Sequence, residues 1–284
     1  MSSPKTLLRR LGLRPDKARG QHFLQHPHQA RRVAEALELT PADTVVEIGP
    51  GLGALTTFLA QAAGRVVAVE VDPLLAAYLR EELFSGHPRV EIRCQDILAF
   101  PFPQLAREVA APVAVAGNLP YQITSPLLFK LAGEKTAVSR AVLMMQQEVG
   151  ERLTAPPGGK EYGILSVLLQ YHFVLERLFT LGPGNFYPSP QVTSVVVRLT
   201  PHPPPLPARD ESFLARVVKL AFSQRRKTLR NTLALQAPLL GLAPEAVLAA
   251  LNALDLDPGR RAETLSVTDF VNLANELGGK GRGP

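Results

Sequence analysis

The sequence predicts an α/β fold with a parallel sheet, followed by a smaller all-α C-terminal domain. Strand-like and helical segments alternate over about the first half of the chain, and a glycine-rich loop follows the first of these strands. Such alternation is typical of βαβ units with right-handed crossovers. The proline-rich stretch 201–207 then interrupts regular structure, because proline fixes φ and donates no backbone hydrogen bond. Only helical patterns follow it.

Hydrophobic periodicity gives the elements in order. The first predicted helix covers 27–39, where Pro27 suits the first turn. Strands are predicted at 44–48, 65–69, 89–93, 112–116, 139–145 and 192–199. Helices are predicted at 54–63, 73–84, 162–170, 213–221, 226–236, 244–253 and 267–277. The predicted organisation is a basic arm 1–26, an α/β domain 27–200, a proline-rich linker 201–209, a helical domain 210–277 and a disordered tail 278–284.

The composition is that of a globular protein without a membrane span. Of 284 residues, 46% are hydrophobic and 20% charged, and no run of about 18 apolar residues occurs. The basic N-terminus lacks the apolar core of a secretory signal, and the single cysteine, Cys94, fits a reducing compartment. We therefore expect a cytoplasmic monomer with no membrane partner and no metal site.

The net charge of +6 is concentrated in two places. Residues 1–32 carry eight Lys/Arg against the single acid Asp16. Residues 212–232 carry six Lys/Arg and no acid. Two basic patches on an otherwise acidic body favour a polyanionic partner, although solvated basic helix faces would give the same pattern.

The glycine loop predicts a nucleotide-type cofactor. Gly49 and Gly51 follow the first strand, where glycines let the backbone turn sharply and approach a ligand. Because Gly49, Gly51 and Ala54 also satisfy G-x-G-x-x-A, the loop alone leaves a dinucleotide and a dehydrogenase possible. Glu47, inside that first strand, needs a partner such as backbone amides or a cationic ligand.

Two further acids favour S-adenosylmethionine. Glu70 ends the second strand, where it can accept hydrogen bonds from ribose hydroxyls. Asp96 follows the third strand, at a place suited to accept from an adenine amino group. Together with Glu47 and the loop, these acids suit a cationic sulfonium that bears adenosine.

The segment Asn118-Leu119-Pro120-Tyr121 follows the fourth strand and predicts transfer of a methyl group to a base amine. An exocyclic amine is a poor nucleophile. Hydrogen-bond acceptors aimed at its two N–H groups would stabilise the nitrogen as it gains positive charge in the transition state. The Asn118 side-chain carbonyl is one acceptor, and the backbone carbonyl of Leu119 or of Pro120 is the second. Tyr121 offers a ring on which a flipped or single-stranded base can stack. The fold class is therefore a Rossmann-like class I methyltransferase sheet with a smaller all-α C-terminal domain.

Nearly the whole chain resembles the KsgA/RsmA family of small-subunit ribosomal RNA adenine N6,N6-dimethyltransferases. Five segments carry this resemblance: 20–24 (GQHFL), 47–51 (EIGPG), 118–121 (NLPY), 186–194 (FYPSPQVTS) and 221–231 (AFSQRRKTLRN). The resemblance implies S-adenosylmethionine-dependent dimethylation of two adjacent adenines in the hairpin near the 3′ end of 16S rRNA. It also implies a role in small-subunit assembly, with the small ribosomal subunit as partner.

The resemblance also implies roles for individual residues. His22 and Leu24 line the cofactor entrance, Gly49 holds the methionine end and Asn118 closes the site. Phe186 is implied as a second aromatic ring, opposite Tyr121. His22 and Gln122 stand where asparagine is common, which leaves open whether the side chain or the backbone of His22 makes its contact.

A helix at 224–231 is expected to contact RNA through Arg225, Arg226, Lys227 and Arg230. Three alternatives remain open at this stage. They are the large-subunit rRNA methyltransferase that confers macrolide resistance, an assembly or transcription factor that keeps the fold without catalysis, and the dehydrogenase.

Overall fold

The computed structural model describes residues 3–16, 20–204 and 206–280. Within these residues the chain forms two compact units. The sheet unit comprises residues 1–150 and 173–201, and the helical unit comprises residues 151–172 and 202–284. No helix in the described ranges is both long and apolar enough to cross a bilayer.

The strands and helices are numbered in chain order. The strands are β1 Phe23–Leu24, β2 Thr44–Ile48, β3 Arg65–Glu70, β4 Val90–Cys94, β5 Val113–Asn118, β6 Val138–Gln146, β7 Phe173–Leu181, β8 Phe186–Tyr187 and β9 Ser194–Pro201. The α-helices are α1 Pro4–Arg10, α2 Pro27–Glu35, α3 Thr56–Ala62, α4 Pro73–Tyr78, α5 Phe102–Glu108, α6 Thr124–Gly133, α7 Gln147–Thr154, α8 Ile164–His172, α9 Glu211–Ala221, α10 Pro244–Ala253 and α11 Val267–Lys280.

Seven strands form one sheet in the order β4-β3-β2-β5-β6-β9-β7. All of them run in the same direction except β9, which is antiparallel to both of its neighbours. The strand order reverses between β2 and β5, and ligands of open α/β sheets bind in the crevice at such a point. The residues that follow β2, β3 and β5 therefore lie together at the carboxyl edge of the sheet.

The sheet core is apolar because helices cover both faces of a parallel sheet. Val45, Val46, Val66, Val67 and Val115 have no exposed surface. The predicted strand 44–48 is found at those bounds. The predicted helix 73–84 is found as α4 followed by one π-helical turn, 79–83. The two-stranded pair of β1 with β8 and the edge strand β7 were not predicted.

The helical unit differs from the sequence expectation at its start. Residues 151–172, expected in the α/β domain, group with the helical unit. Side chains explain why: the Tyr171 hydroxyl accepts a hydrogen bond from Ala208 N at 2.9 Å, and the Tyr162 ring packs 6.2 Å from that of Phe222. The expected linker is partly regular, since Pro201 still belongs to β9.

Two further expectations about the helical unit are wrong. No helix covers 224–228, which form turns, and a π-helical turn follows at Arg230–Ala234. The reason is that the amides of Leu229 and Arg230 donate to the carbonyls of Arg260 and Pro258, which starts a new element there. Residues 278–280 of the expected disordered tail belong to α11, and 281–284 lie outside the described residues.

Candidate functional site

A cavity of about 240 Å³ lies at the edge where β2, β3 and β5 end. All twelve residues predicted from the sequence for the cofactor and for catalysis line it. They are His22, Leu24, Glu47, Gly49, Gly51, Glu70, Asp96, Asn118, Leu119, Pro120, Tyr121 and Phe186. Every lining residue belongs to the sheet unit.

The glycine loop adopts backbone angles that favour glycine. Gly49 and Gly51 have φ of 61° and 57°. A Cβ at Gly49 would meet no atom within 4 Å, whereas a Cβ at Gly51 would lie 2.9 Å from the Phe23 ring. The Gly51 amide donates a 3.0 Å hydrogen bond to Glu70 Oε2. The loop is thus open at Gly49 and fixed to the end of β3 at Gly51.

Glu47 is a buried carboxyl with an unsatisfied oxygen. Its side chain is 1% exposed, and neither Glu47 Oε2 nor Thr56 Oγ1 completes a hydrogen bond. Burial raises the pKa of Glu47 to about 8; nearby Thr56 opposes this shift and the Glu70 carboxylate adds to it. A cation bound in this cavity would therefore stabilise the ionised form.

Replacing Glu47 by Gln should change stability in a pH-dependent way. The folded pKa of Glu47 lies above its ordinary value of 4.5, so the folded state binds the extra proton between pH 4.5 and 8 and loses stability as pH rises through that window. We expect Glu47→Gln, without cofactor, to differ little in stability from the parent near pH 5 and to be more stable by about 4 kcal/mol at pH 8.5. Urea unfolding at pH 5, 7 and 8.5 measures this difference.

The control is Glu91→Gln. Arg93 and Arg65 lower the pKa of Glu91 despite its partial burial, so its contribution is constant between pH 5.5 and 8.5. A Glu47→Gln effect that is equally flat with pH would show that the carboxyl is not the titrating group.

Glu70 and Asp96 border the same cavity with their carboxylates oriented by backbone amides. Glu70 accepts from Gly51 N with Oε2 and from Asp72 N with Oε1, each at 3.0 Å. Burial raises the pKa of Glu70, and these two amides partly offset the shift. Asp96 is exposed, and its Oδ1 accepts from Leu98 N at 2.8 Å.

Asn118 is held by the segment that contains His22. Its Nδ2 donates a 2.8 Å hydrogen bond to the His22 carbonyl, so Oδ1 is the side-chain atom left to accept. His22 Nδ1 lies 2.7 Å from the Pro188 carbonyl, and it carries the hydrogen because a carbonyl only accepts. His22 therefore contacts Asn118 through its backbone, a choice that the sequence left open. Its side chain contacts Pro188, which the sequence did not predict.

The structure distinguishes the two candidate backbone acceptors. The Pro120 carbonyl accepts from Ile123 N at 3.2 Å and from Thr124 Oγ1 at 3.0 Å, which occupies both lone pairs. Leu119 N donates to the Met144 carbonyl at 2.9 Å, and no described residue donates to the Leu119 carbonyl. Leu119 thus supplies the acceptor that is not already used.

The two predicted aromatic residues differ in exposure. Tyr121 is half-buried, its ring centroid lies 5.8 Å from that of His22, and burial raises the pKa of its hydroxyl. Phe186 pairs with Leu24 between β8 and β1 and is only 1% exposed. Tyr121 is therefore the more accessible ring of the two in this structure.

The predicted RNA-binding residues lie in the helical unit and will be called the basic segment: Arg225, Arg226, Lys227 and Arg230. All four are exposed. Arg225 Nε lies 3.4 Å from Glu263 Oε2, and the other three form no ion pair with any residue in the described ranges. Three cations in this segment are thus available to a polyanion.

The sheet order and the acid-flanked glycine loop define a Rossmann-like class I methyltransferase. The family model described as ribosomal RNA adenine dimethylase matches residues 14–278. A ribosomal RNA small subunit methyltransferase A from Geobacter metallireducens is 45% identical over 95% of this chain and 98% of its own length, and one from Myxococcus xanthus is 44% identical over 98% and 96%.

Solved structures agree with this assignment. A dimethyladenosine transferase from Plasmodium falciparum has a TM-score of 0.76 at 26% identity, covering 92% of this chain and 98% of that one. The 23S rRNA methyltransferase ErmE has a TM-score of 0.68 at 29% identity, covering 90% and 99%. The chain belongs to the ribosomal RNA adenine dimethylase family. It is an S-adenosylmethionine-dependent rRNA adenine dimethyltransferase, which excludes the dehydrogenase.

Proposed function

We propose that this enzyme dimethylates N6 of two adjacent adenines in the hairpin near the 3′ end of small-subunit rRNA, and that it acts as a single chain. The observation that carries the chemistry is the pair of unused acceptors, Asn118 Oδ1 and the Leu119 carbonyl, on one cavity. The high identity to small-subunit enzymes supports the choice of RNA.

The residues present fit S-adenosylmethionine. Glu47 Oε2 is buried without a hydrogen-bond partner, and a Cβ at Gly49, after the same strand, would meet no atom within 4 Å; both features suit a cationic ligand at the end of β2. Glu70 would accept from the ribose hydroxyls, Asp96 from the adenine amino group, and His22 and Leu24 would border the entrance. When bound, the cofactor would supply an electrophilic methyl group.

The protein would act on the amine by accepting hydrogen bonds from its N–H groups. In the first transfer, Asn118 Oδ1 and the Leu119 carbonyl would each accept a hydrogen bond from one N–H of adenine N6, and in the second transfer the one remaining N–H would donate to one of them. These bonds favour the pyramidal nitrogen that gains positive charge in the transition state. Pro120 keeps the Leu119 carbonyl in place, because its own carbonyl closes the turn with Ile123 N and Thr124 Oγ1. After transfer the nitrogen loses its proton to water.

Tyr121 and Phe186 would hold the flipped adenine. Tyr121 provides the accessible stacking face. Phe186 is largely covered, so we assign it the wall of the pocket next to Leu24, where it limits how deeply the base can enter.

The basic segment would hold the rRNA backbone. Changing Arg225, Arg226 and Lys227 to Gln should weaken binding to undermethylated small subunits and reduce the slope of log K against log [salt] by about 2, since each phosphate contact contributes about 0.7–0.9. Filter binding at several salt concentrations measures both quantities.

The control for that experiment is one variant that combines three changes and that we call the control triple: Arg89→Gln, Arg107→Gln and Arg177→Gln. These arginines are exposed and form no ion pair in the described part of the chain. Arg89 directly precedes β4, at the amino edge of the sheet and opposite the cavity. An equal loss of affinity in both triple variants would mean that only the net charge of the protein matters. The basic segment would then not be a specific RNA contact.

The function is tested by methyl transfer to undermethylated small and large subunits. Dimethyladenine at two adjacent positions of small-subunit rRNA, detected as primer-extension stops, is the expected result. Methylation of the large-subunit RNA instead would support the function of ErmE, to which the fold is also similar. Binding to small subunits without any methyl transfer would support a factor that acts only in assembly.

A further inference from the structure

Helix α1 presents the exposed cations Lys5 and Arg9 and buries Leu8. Lys5 and Arg9 lie on α1 and Arg14 lies just after it, and all three side chains are exposed. None of the three forms an ion pair or a side-chain hydrogen bond with any residue in the described ranges. The only acid among residues 1–32 is Asp16.

The helix is fixed to the cofactor loop. Leu8 is 3% exposed and belongs to one hydrophobic cluster with Leu52 of the glycine loop, with Phe23 and with side chains of α4. Arg10 forms a 2.7 Å ion pair with Glu82, next to α4. A helix of seven residues is not stable alone in water, so this packing is what holds the cations in place.

Local electrostatics favour only Arg9, which lies in the last turn of α1, at the negative end of the helix. Lys5 lies in the first turn of α1, where the positive end of the helix disfavours a cation. Lys5 and Arg9 are four residues apart, so their like charges repel. An anion bound across Lys5, Arg9 and Arg14 would relieve both effects.

We propose that the exposed cations Lys5 and Arg9 of α1, together with Arg14 in the segment after it, form a second contact for the phosphate backbone of the substrate rRNA. This inference rests on the proposed function. The contact belongs to the sheet unit and is separate from the basic segment in the helical unit. Because Leu8 and Leu52 share one cluster, a phosphate on α1 is held by the same structure that holds the cofactor loop.

The test is the variant Lys5→Gln, Arg9→Gln and Arg14→Gln, compared with the parent and with the control triple. Binding to undermethylated small subunits is measured between 50 and 300 mM potassium chloride. We expect at least a tenfold loss of affinity near 100 mM and a slope of log K against log [salt] that falls by about 2–3, for three phosphates lost. Calorimetry with S-adenosylmethionine alone should give the affinity of the parent, since no α1 cation lines the cavity.

Affinity and slope equal to those of the parent would overturn the proposal, as would an equal loss in the control triple. A second variant, Leu8→Ala, keeps all cations but releases the helix, and it should also lower RNA affinity. Failure of the parent to methylate small subunits would instead remove the proposed function. Methylation is assayed separately from binding, so the two failures are distinguishable.

Discussion

Replacing Asn118 by Ala should reduce methyl transfer to small-subunit rRNA by about 10²–10³-fold. The change removes Oδ1, one of the two acceptors proposed for the hydrogens of adenine N6, and removal of one preorganised polar group at a transition state typically has this effect. It also removes the 2.8 Å bond from Nδ2 to the His22 carbonyl, so the entrance segment loses one anchor. Single-turnover assays with labelled cofactor at saturating RNA measure the chemical step.

A second variant separates these two losses. Asn118→Asp keeps an acceptor oxygen, so it should retain more activity than Asn118→Ala. It cannot donate to the His22 carbonyl, so it should bind the cofactor more weakly than the parent does. Equal activity of the two variants would mean that Nδ2, and not Oδ1, is the important atom. Asn118 would then be a positioning residue for His22.

The location of the candidate site was predictable because its polar residues lie in strands or just after strand ends. Glu47, Glu70, Asp96 and Asn118 all lie in or just after strands whose hydrophobic pattern is plain in the sequence, and the carboxyl ends of parallel strands share one edge. The choice between Leu119 and Pro120 could not be made in advance. It depends on Ile123 and Thr124, which occupy the Pro120 carbonyl only once the chain turns into α6.

The basic segment shows where periodicity misleads. Apolar spacing over 226–236 resembles a helix, yet 224–228 form turns because the amides of Leu229 and Arg230 bond to a loop about 30 residues later in the chain. Such long-range partners leave no local signal. The charges themselves, which the sequence does show, are exposed as expected.

Chemistry and RNA choice can be changed independently if the sites are as proposed. The acceptors and the cofactor cavity lie in the sheet unit, whereas the basic segment lies in the helical unit. A higher RNA concentration should therefore restore the activity of a variant without the basic-segment charges. It should not restore the activity of an Asn118 variant. Only α1 combines a proposed RNA contact with direct packing against the cofactor loop.

Replacing Gly53 by Ala should destabilise the sheet unit by about 3 kcal/mol. Gly53 has φ of 80°, a conformation that costs a residue with a Cβ about 1–2 kcal/mol. Its Cβ would also overlap the Leu83 side chain and lie 3.1 Å from Leu79 Cδ2 and 3.2 Å from Phe84 Cε2, and overpacking of this kind costs about 1–3 kcal/mol. Urea unfolding without ligand measures the change.

The matched control is Gly86→Ala. Gly86 has φ of 68°, but a Cβ there would meet no atom within 4 Å, so only the backbone term of about 1–2 kcal/mol applies. The difference between the two variants isolates the packing of the loop against the turn after α4. Cofactor affinity should fall for Gly53→Ala alone, because the shifted loop carries Gly51 and its hydrogen bond to Glu70. Equal destabilisation by both variants would show that Leu83, which is 39% exposed, moves aside without cost and that the loop does not depend on this packing.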